Sequence, residues 1–136
     1  MKNLESLIFG GFRLLFSLKY HLNINSTGKM TYIIMLMTTS NKKEAESIIK
    51  QLLEERLIAC ANIVDSVSSL FWWKHRIEQE NETLVIMKSS EKLFRKLIEK
   101  IQELHSYEAP EILALPIVAG SKSYFDWLKN SLEAVE

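Results

Sequence analysis

The elements read from this chain run β-α-β-β-α-β and end in a further helix. That order is the α+β class with split βαβ, ferredoxin-like topology, here with a long hairpin between the second and third strands. Three observations predict it. Apolar residues recur at helical spacing in three stretches, and four stretches of strand length are rich in apolar or β-branched residues. The connection Lys74-His75-Arg76 is short enough only for a tight hairpin turn.

The first strand is Thr31 to Thr39, nearly all apolar or β-branched. Ser40-Asn41 offers an N-cap, with Glu44 at capping-box spacing from Asn41. The helix that follows is expected over 42–57, with Ala45, Ile48, Ile49, Leu52 and Leu53 as its buried stripe. Residues 59–74 and 77–88 read as two long strands, and His75 tolerates the positive φ that a tight turn between them requires. Ser89-Ser90-Glu91 opens a second helix ending near His105, with Leu93 or Phe94, Leu97, Ile98, Ile101 and Leu104 as its stripe. Pro110 pushes Ala109 toward extended geometry, and residues 109–119 read as a buried strand. Gly120-Ser121 ends it, and Tyr124, Phe125, Trp127, Leu128 and Leu132 mark the last helix.

The second strand is unusually long. At ~3.3 Å per residue its fourteen or so residues would reach ~45 Å, beyond the common strand range. Leu70, Phe71, Trp72 and Trp73 place large side chains on both faces of this arm. An arm of that kind expects a partner, and a second copy of the same chain is the simplest one.

At 136 residues the chain has the length of one domain with a core. Its formal net charge of zero argues against a nucleic-acid-binding surface. Cys60 is the single cysteine, which excludes an intrachain disulfide and any Cys-pair zinc motif, and points to a reducing, cytoplasmic setting. Residues 1–29 differ from the rest: Lys2, Arg13, Lys19 and Lys29 oppose Glu5 alone. Their apolar run is interrupted by Arg13 before it reaches the ~20 residues of a membrane span. An organellar targeting segment or a surface-lying amphipathic helix is one reading. The other places the working start at Met30, with 1–29 a dispensable or disordered extension and 30–136 the domain, for which no membrane partner is expected. No Gly-rich phosphate loop, His-Glu-x-x-His or nucleophile elbow occurs.

The run from His105 to Gly120 concentrates an imidazole, the carboxylates Glu108 and Glu111, and a proline-restricted turn. His and Glu are ligands that a borderline divalent cation accepts, so His105, Glu108 and Glu111 are the candidate metal ligands. For His105 the alternative is a helix C-cap. For Glu108 it is a solvated turn, while Glu111, opening the strand, has the more fixed direction. Cys60 between two alanines reads as a buried structural thiol, since a nucleophile needs a base and an electropositive setting. Trp72 and Trp73 could form a cation–π wall or pack in an interface. Lys88 and Arg56 could meet an anion or be solvated charges. His75 and His21 lack ligand-spaced partners.

Several motifs together resemble the CutA divalent-cation tolerance family: Leu53-Glu-Glu-Arg-Leu-Ile-Ala-Cys-Ala-Asn62, Phe71-Trp-Trp-Lys74, Leu104-His-Ser-Tyr-Glu-Ala-Pro-Glu-Ile112, Leu115-Pro-Ile-Val-Ala-Gly120 and Tyr124-Phe-Asp-Trp-Leu128. They cover nearly all of 30–136 in the family's order. The resemblance implies a homotrimer of ferredoxin-like subunits that binds copper or another divalent cation and serves metal tolerance without being an enzyme. Three positions depart from the pattern. Ser106 stands where the family usually has Pro, His75 where Gly is common, and Met37 where some members have a Cys implicated in copper binding. A thioether suits Cu(I) better than Cu(II) or zinc. The alternative is a small-molecule-binding signalling trimer like the PII proteins, which share the topology but carry a long loop where this chain has only Lys74-His75-Arg76.

Overall fold

The computed structural model describes residues 21–22 and 31–133. The elements are β1 (His21–Leu22), β2 (Tyr32–Thr39), α1 (Lys42–Glu54), β3 (Cys60–Trp73), β4 (Arg76–Ser90), a single 3₁₀ turn at Glu91–Leu93, α2 (Phe94–Leu104), β5 (Leu113–Pro116), β6 (Ala119–Gly120) and α3 (Lys122–Leu132). Strands β3-β4-β2-β5 form one antiparallel sheet in that order, which is the expected ferredoxin-like arrangement. A separate two-residue ladder pairs His21 with Gly120 and Leu22 with Ala119. The rest of the proposed 1–29 extension lies outside the described residues.

Alternation in β2 sends Ile33, Met35, Met37 and Thr39 to one face, all buried. There they meet Ala45, Ile48, Ile49 and Leu52 of α1, Leu97 and Ile101 of α2, and Val85 and Met87 of β4. The amphipathic stripes of both helices close this side of the sheet. On the other face, Tyr32, Ile34, Leu36 and Thr38 stand beside Leu84, Ile86 and Lys88 and, across the edges, Val64, Leu113 and Leu115. Among the described helices, α3 is the one that reaches that side. Phe125 stacks on Tyr32 with ring centroids 5.4 Å apart, and a Cβ at Gly120 would press to 3.1 Å of the same ring.

Asn41 caps α1 through its Oδ1, which accepts the Glu44 N–H at 2.8 Å. The helix stops at Glu54, three residues before the expected end. Arg56 takes a positive φ of 54°, and the amides of Arg56 and Leu57 bond back to the carbonyls of Leu53 and Leu52. This is a Schellman closure, and it folds Leu57 onto the core beside Leu52.

The hairpin is as long as expected: β3 has 14 residues and β4 has 15. Its turn is two residues, Lys74 and His75, both at positive φ (47° and 66°), the type I′ geometry that matches strand twist. A bulge between Val64 and Val67 inserts one residue into β3, with Ser66 at φ 60°. The extra residue switches the parity of β3. Beyond it, Val67, Ser69, Phe71 and Trp73 face the same way as Val64 does before it.

The expected buried strand over 109–119 is corrected. It is two short strands, β5 and β6, after a loop at 105–112, and all four residues of β5 are exposed. β5 is an edge strand, and no described helix covers it on the face of Leu113 and Leu115, so apolar content alone overstated its burial.

Candidate functional site

The loop after α2 is fastened at two points. The imidazole of His105 is fully buried, and Nε2–H donates to the Thr38 carbonyl at 2.8 Å while Nδ1 accepts the Tyr107 N–H at 3.0 Å. A carbonyl can only accept and an amide N–H can only donate, so these bonds fix the neutral Nε2–H tautomer. His105 does sit at the C-cap of α2, with its N–H on the Ile101 carbonyl, yet its ring serves the end of β2 rather than its own helix. Glu44 Oε1, a buried atom with no hydrogen-bond partner among the described residues, lies 3.8 Å from Nδ1.

The second fastening is Tyr107. Its hydroxyl donates to Glu82 Oε2 at 2.8 Å, and its ring lies against His105 at 4.8 Å between centroids. Burial first, then the hydrogen bond and charge of Glu82, push the phenol far above the usual tyrosine range. Glu44 and Glu80 add to the negative field.

Between loop and arm lies a cleft of about 680 Å³. Its floor is one face of the hairpin: Phe71 pairs with Glu78, and Trp73, Glu80 and Glu82 follow on the same side. Ser106, Tyr107, Glu108 and Ala109 form the facing wall, and Ser40 closes the end near β2. Among the described residues none of the lining side chains is basic, and no ion pair reaches Glu78, Glu80, Glu82 or Glu108.

The structure therefore separates the three sequence-predicted ligands. Glu108 lines the cleft, and Glu111 is exposed two residues before β5. His105 is buried with both ring nitrogens engaged, so a cation there would have to displace a hydrogen bond. Among the described residues no group of three or more His, Cys, Asp or Glu is placed to hold an ion. Met37 lies wholly in the core. Cys60, read as buried, is half-buried instead, with Sγ 3.8 Å from the Tyr124 hydroxyl, because α3 covers that corner only partly. Lys88 Nζ donates to Asn62, and Arg56 Nη1 to the Ser131 carbonyl at 2.8 Å, so each cation is held by a neutral oxygen. Trp72 and Trp73 are exposed, and Lys74 Nζ lies 5.9 Å over the Trp73 ring.

Sequence reasoning missed Glu78, Glu80, Glu82 and Tyr107. The signal for the first three was present: glutamates at every second position of a strand share one face. Nothing local showed that the loop at 105–112 would stand opposite them.

Comparison with known proteins agrees with this architecture. A CutA from Thermus thermophilus is 40% identical over 98 residues, which cover 72% of this chain and 95% of that protein. A chloroplastic CutA from Oryza sativa is 37% identical over 99 residues, and this chain spans only 56% of its length. The crystal structure of CutA1 from Oryza sativa superposes with a TM-score of 0.74 at 35% identity, covering 77% of this chain and 96% of that one. The profile of the CutA1 divalent ion tolerance proteins matches residues 33–131, every element from β2 to α3. With the sheet order, the long arm and the sequence motifs in agreement, the chain belongs to the CutA1 divalent ion tolerance family.

Proposed function

We propose that this protein serves divalent-cation tolerance as a non-catalytic homotrimer, with residues 30–136 as the working unit and a reducing, cytoplasmic setting for its single Cys60. The observation that carries the assembly is the uncovered sheet face. Val64, Leu113 and Leu115 are 44, 52 and 49% exposed, and on the same face the arm adds Phe71 and Trp73 at 37 and 44%. So much contiguous apolar surface favours association of copies. The cation, copper in the first instance, is bound weakly. Glu108 and Glu111 contribute carboxylates from the loop, a neighbouring copy supplies the remaining ligands, and His105 holds the loop in place.

The experiment is light scattering of the full chain, then calorimetric titration with copper(I), copper(II) and zinc. A trimer is expected, with modest affinity that falls several-fold in the variant carrying Glu108→Gln and Glu111→Gln while the trimer persists. A monomer, or identical titrations of parent and variant, would defeat the reading. The signalling alternative is disfavoured because β3 and β4 join through Lys74 and His75 alone, which leaves no loop to carry a switch.

A further inference from the structure

We propose that Glu44 and His105 form a proton-operated latch on the loop at 105–112. A proton on Nδ1 of His105 moves the hydrogen bond of that nitrogen from the Tyr107 amide to Glu44 Oε1, and the loop loses one of its two fastenings. The inference stands apart from the divalent-cation reading, in which His105 is not a ligand. It uses neither the arm nor the open face of the sheet.

The closed state rests on the neutral ring. Nε2–H ties the imidazole to the Thr38 carbonyl at the end of β2, and Nδ1 ties the Tyr107 amide to the imidazole. The side chain has no exposed surface, so bulk water reaches neither nitrogen. Between His105 and β5, no backbone amide bonds to a backbone carbonyl among the described residues. The ring is therefore what holds the backbone of the loop at Tyr107.

A proton from solvent on Nδ1 turns that acceptor into a donor, and two donors cannot share a hydrogen bond, so the Tyr107 N–H is released. An acceptor for the new N–H stands ready at 3.8 Å, Glu44 Oε1. That oxygen is buried and has no hydrogen-bond partner among the described residues, an unfavourable state for a carboxylate until a donor arrives. Among the described residues no lysine or arginine is paired with Glu44. A ring movement of about 1 Å closes the gap to a charge-assisted bond of ~2.8 Å. Protonation thus exchanges a neutral bond to the loop for an ion pair with α1.

The groups around the ring accommodate both states. α1 presents Glu44, β2 the Thr38 carbonyl, α2 the Ile101 carbonyl that takes the His105 N–H, and the loop the Tyr107 ring. β4 contributes Glu82, whose Oε2 accepts the Tyr107 hydroxyl. The charged members, Glu44 and Glu82, are carboxylates, so an imidazolium meets no like charge from them. The bond from Tyr107 to Glu82 uses no ring nitrogen of His105 and persists in both states. Opening therefore frees the backbone at Tyr107 and leaves its phenol tethered.

The test is nuclear magnetic resonance of the full chain between about pH 7.5 and pH 5, the range in which imidazoles change charge. It follows the ring nitrogens of His105 and the hydrogen exchange of the Tyr107 amide, corrected for the intrinsic pH dependence of exchange. At the upper end the Nε2–H tautomer and a protected Tyr107 amide are expected. As the pH falls, Nδ1 should take a proton and the Tyr107 amide should lose protection by about tenfold or more over the same interval, while the Ile101 amide inside α2 keeps its own. Glu44→Gln keeps the shape of the side chain and removes its charge, so both changes should move down by about half a pH unit or more. His75, in the turn of the arm, should titrate alike in parent and variant. A ring that stays neutral throughout, a protonated ring with the Tyr107 amide still protected, or equal midpoints in parent and Glu44→Gln would each overturn the latch.

Discussion

On the helix side of the sheet, Met35, Met37, Val85 and Met87 have no exposed surface, while on the opposite side Val64, Leu113 and Leu115 keep about half of theirs. The side chains on the two faces are similar in size and hydropathy. What differs among the described residues is the layer above them: two amphipathic helices on one side, and on the other a single helix that packs on the corner around Tyr32. Apolar composition shows that a surface is suited to burial. The chain's own elements decide whether it is buried within one subunit or left open.

The largest expected effect probes the closed face. Leu52→Ala removes a side chain with no exposure from the middle of the α1 stripe, and the cavity should cost about 2–5 kcal/mol, read as a lower urea midpoint. A cost below about 1 kcal/mol would mean that this face is packed no better than the open one.

Next comes the open face. Burying an apolar side chain there contributes roughly 1.5–3 kcal/mol per copy. Leu115→Asp, on the outer strand of the sheet, should reduce the mass seen in light scattering to that of a single chain while far-ultraviolet circular dichroism is retained. An unchanged assembly would show that copies do not meet on this face.

Tyr107 sharpens the contrast from the side of the cleft. Its phenol is held well above the usual value, so the folded state prefers the protonated form. The stabilisation is present in full below the unfolded tyrosine pKa of ~10 and is lost as pH rises from there through the higher folded value. Urea midpoints should therefore fall from pH 9 to 11.5 in the parent and fall less in Tyr107→Phe. At neutral pH the same substitution should cost about 1–3 kcal/mol, because Glu82 Oε2 loses its donor. Parallel alkaline profiles would show that the loop is not fastened by this bond.

The smallest effect expected is that of deleting residues 1–29. Among described residues this removes only the ladder of His21–Leu22 on Ala119–Gly120. The change should not exceed about 1 kcal/mol, the net worth of a hydrogen bond or so. A larger loss would place part of the segment on the core.

Much of the fold was legible because its signals are local. The stripes of α1 and α2, the alternation of β2, the Asn41 cap and the two-residue turn each depend on residues within a few positions of one another. The family motifs were equally readable, being short strings in a set order. The end of α1 was misjudged because Leu57 is apolar enough to extend the stripe, whereas Arg56 turns left-handed to send it to the core. Residues 109–119 were misjudged because an apolar run carries no information on whether a layer will cover it.

What the sequence determined by itself, then, is the order of elements, the length of the arm and the chemistry available in the loop at 105–112. Tertiary structure alone decided how that chemistry is used. His105 reaches a carbonyl 67 positions away, and Tyr107 a carboxylate 25 positions away. The bulge at Asp65-Ser66 decides which face of the arm carries Phe71 and Trp73. Periodicity along a chain reports on neighbours within a turn or a strand. A cleft made by docking a loop onto a distant hairpin is set by packing between segments, and its lining is fixed only when both are in place.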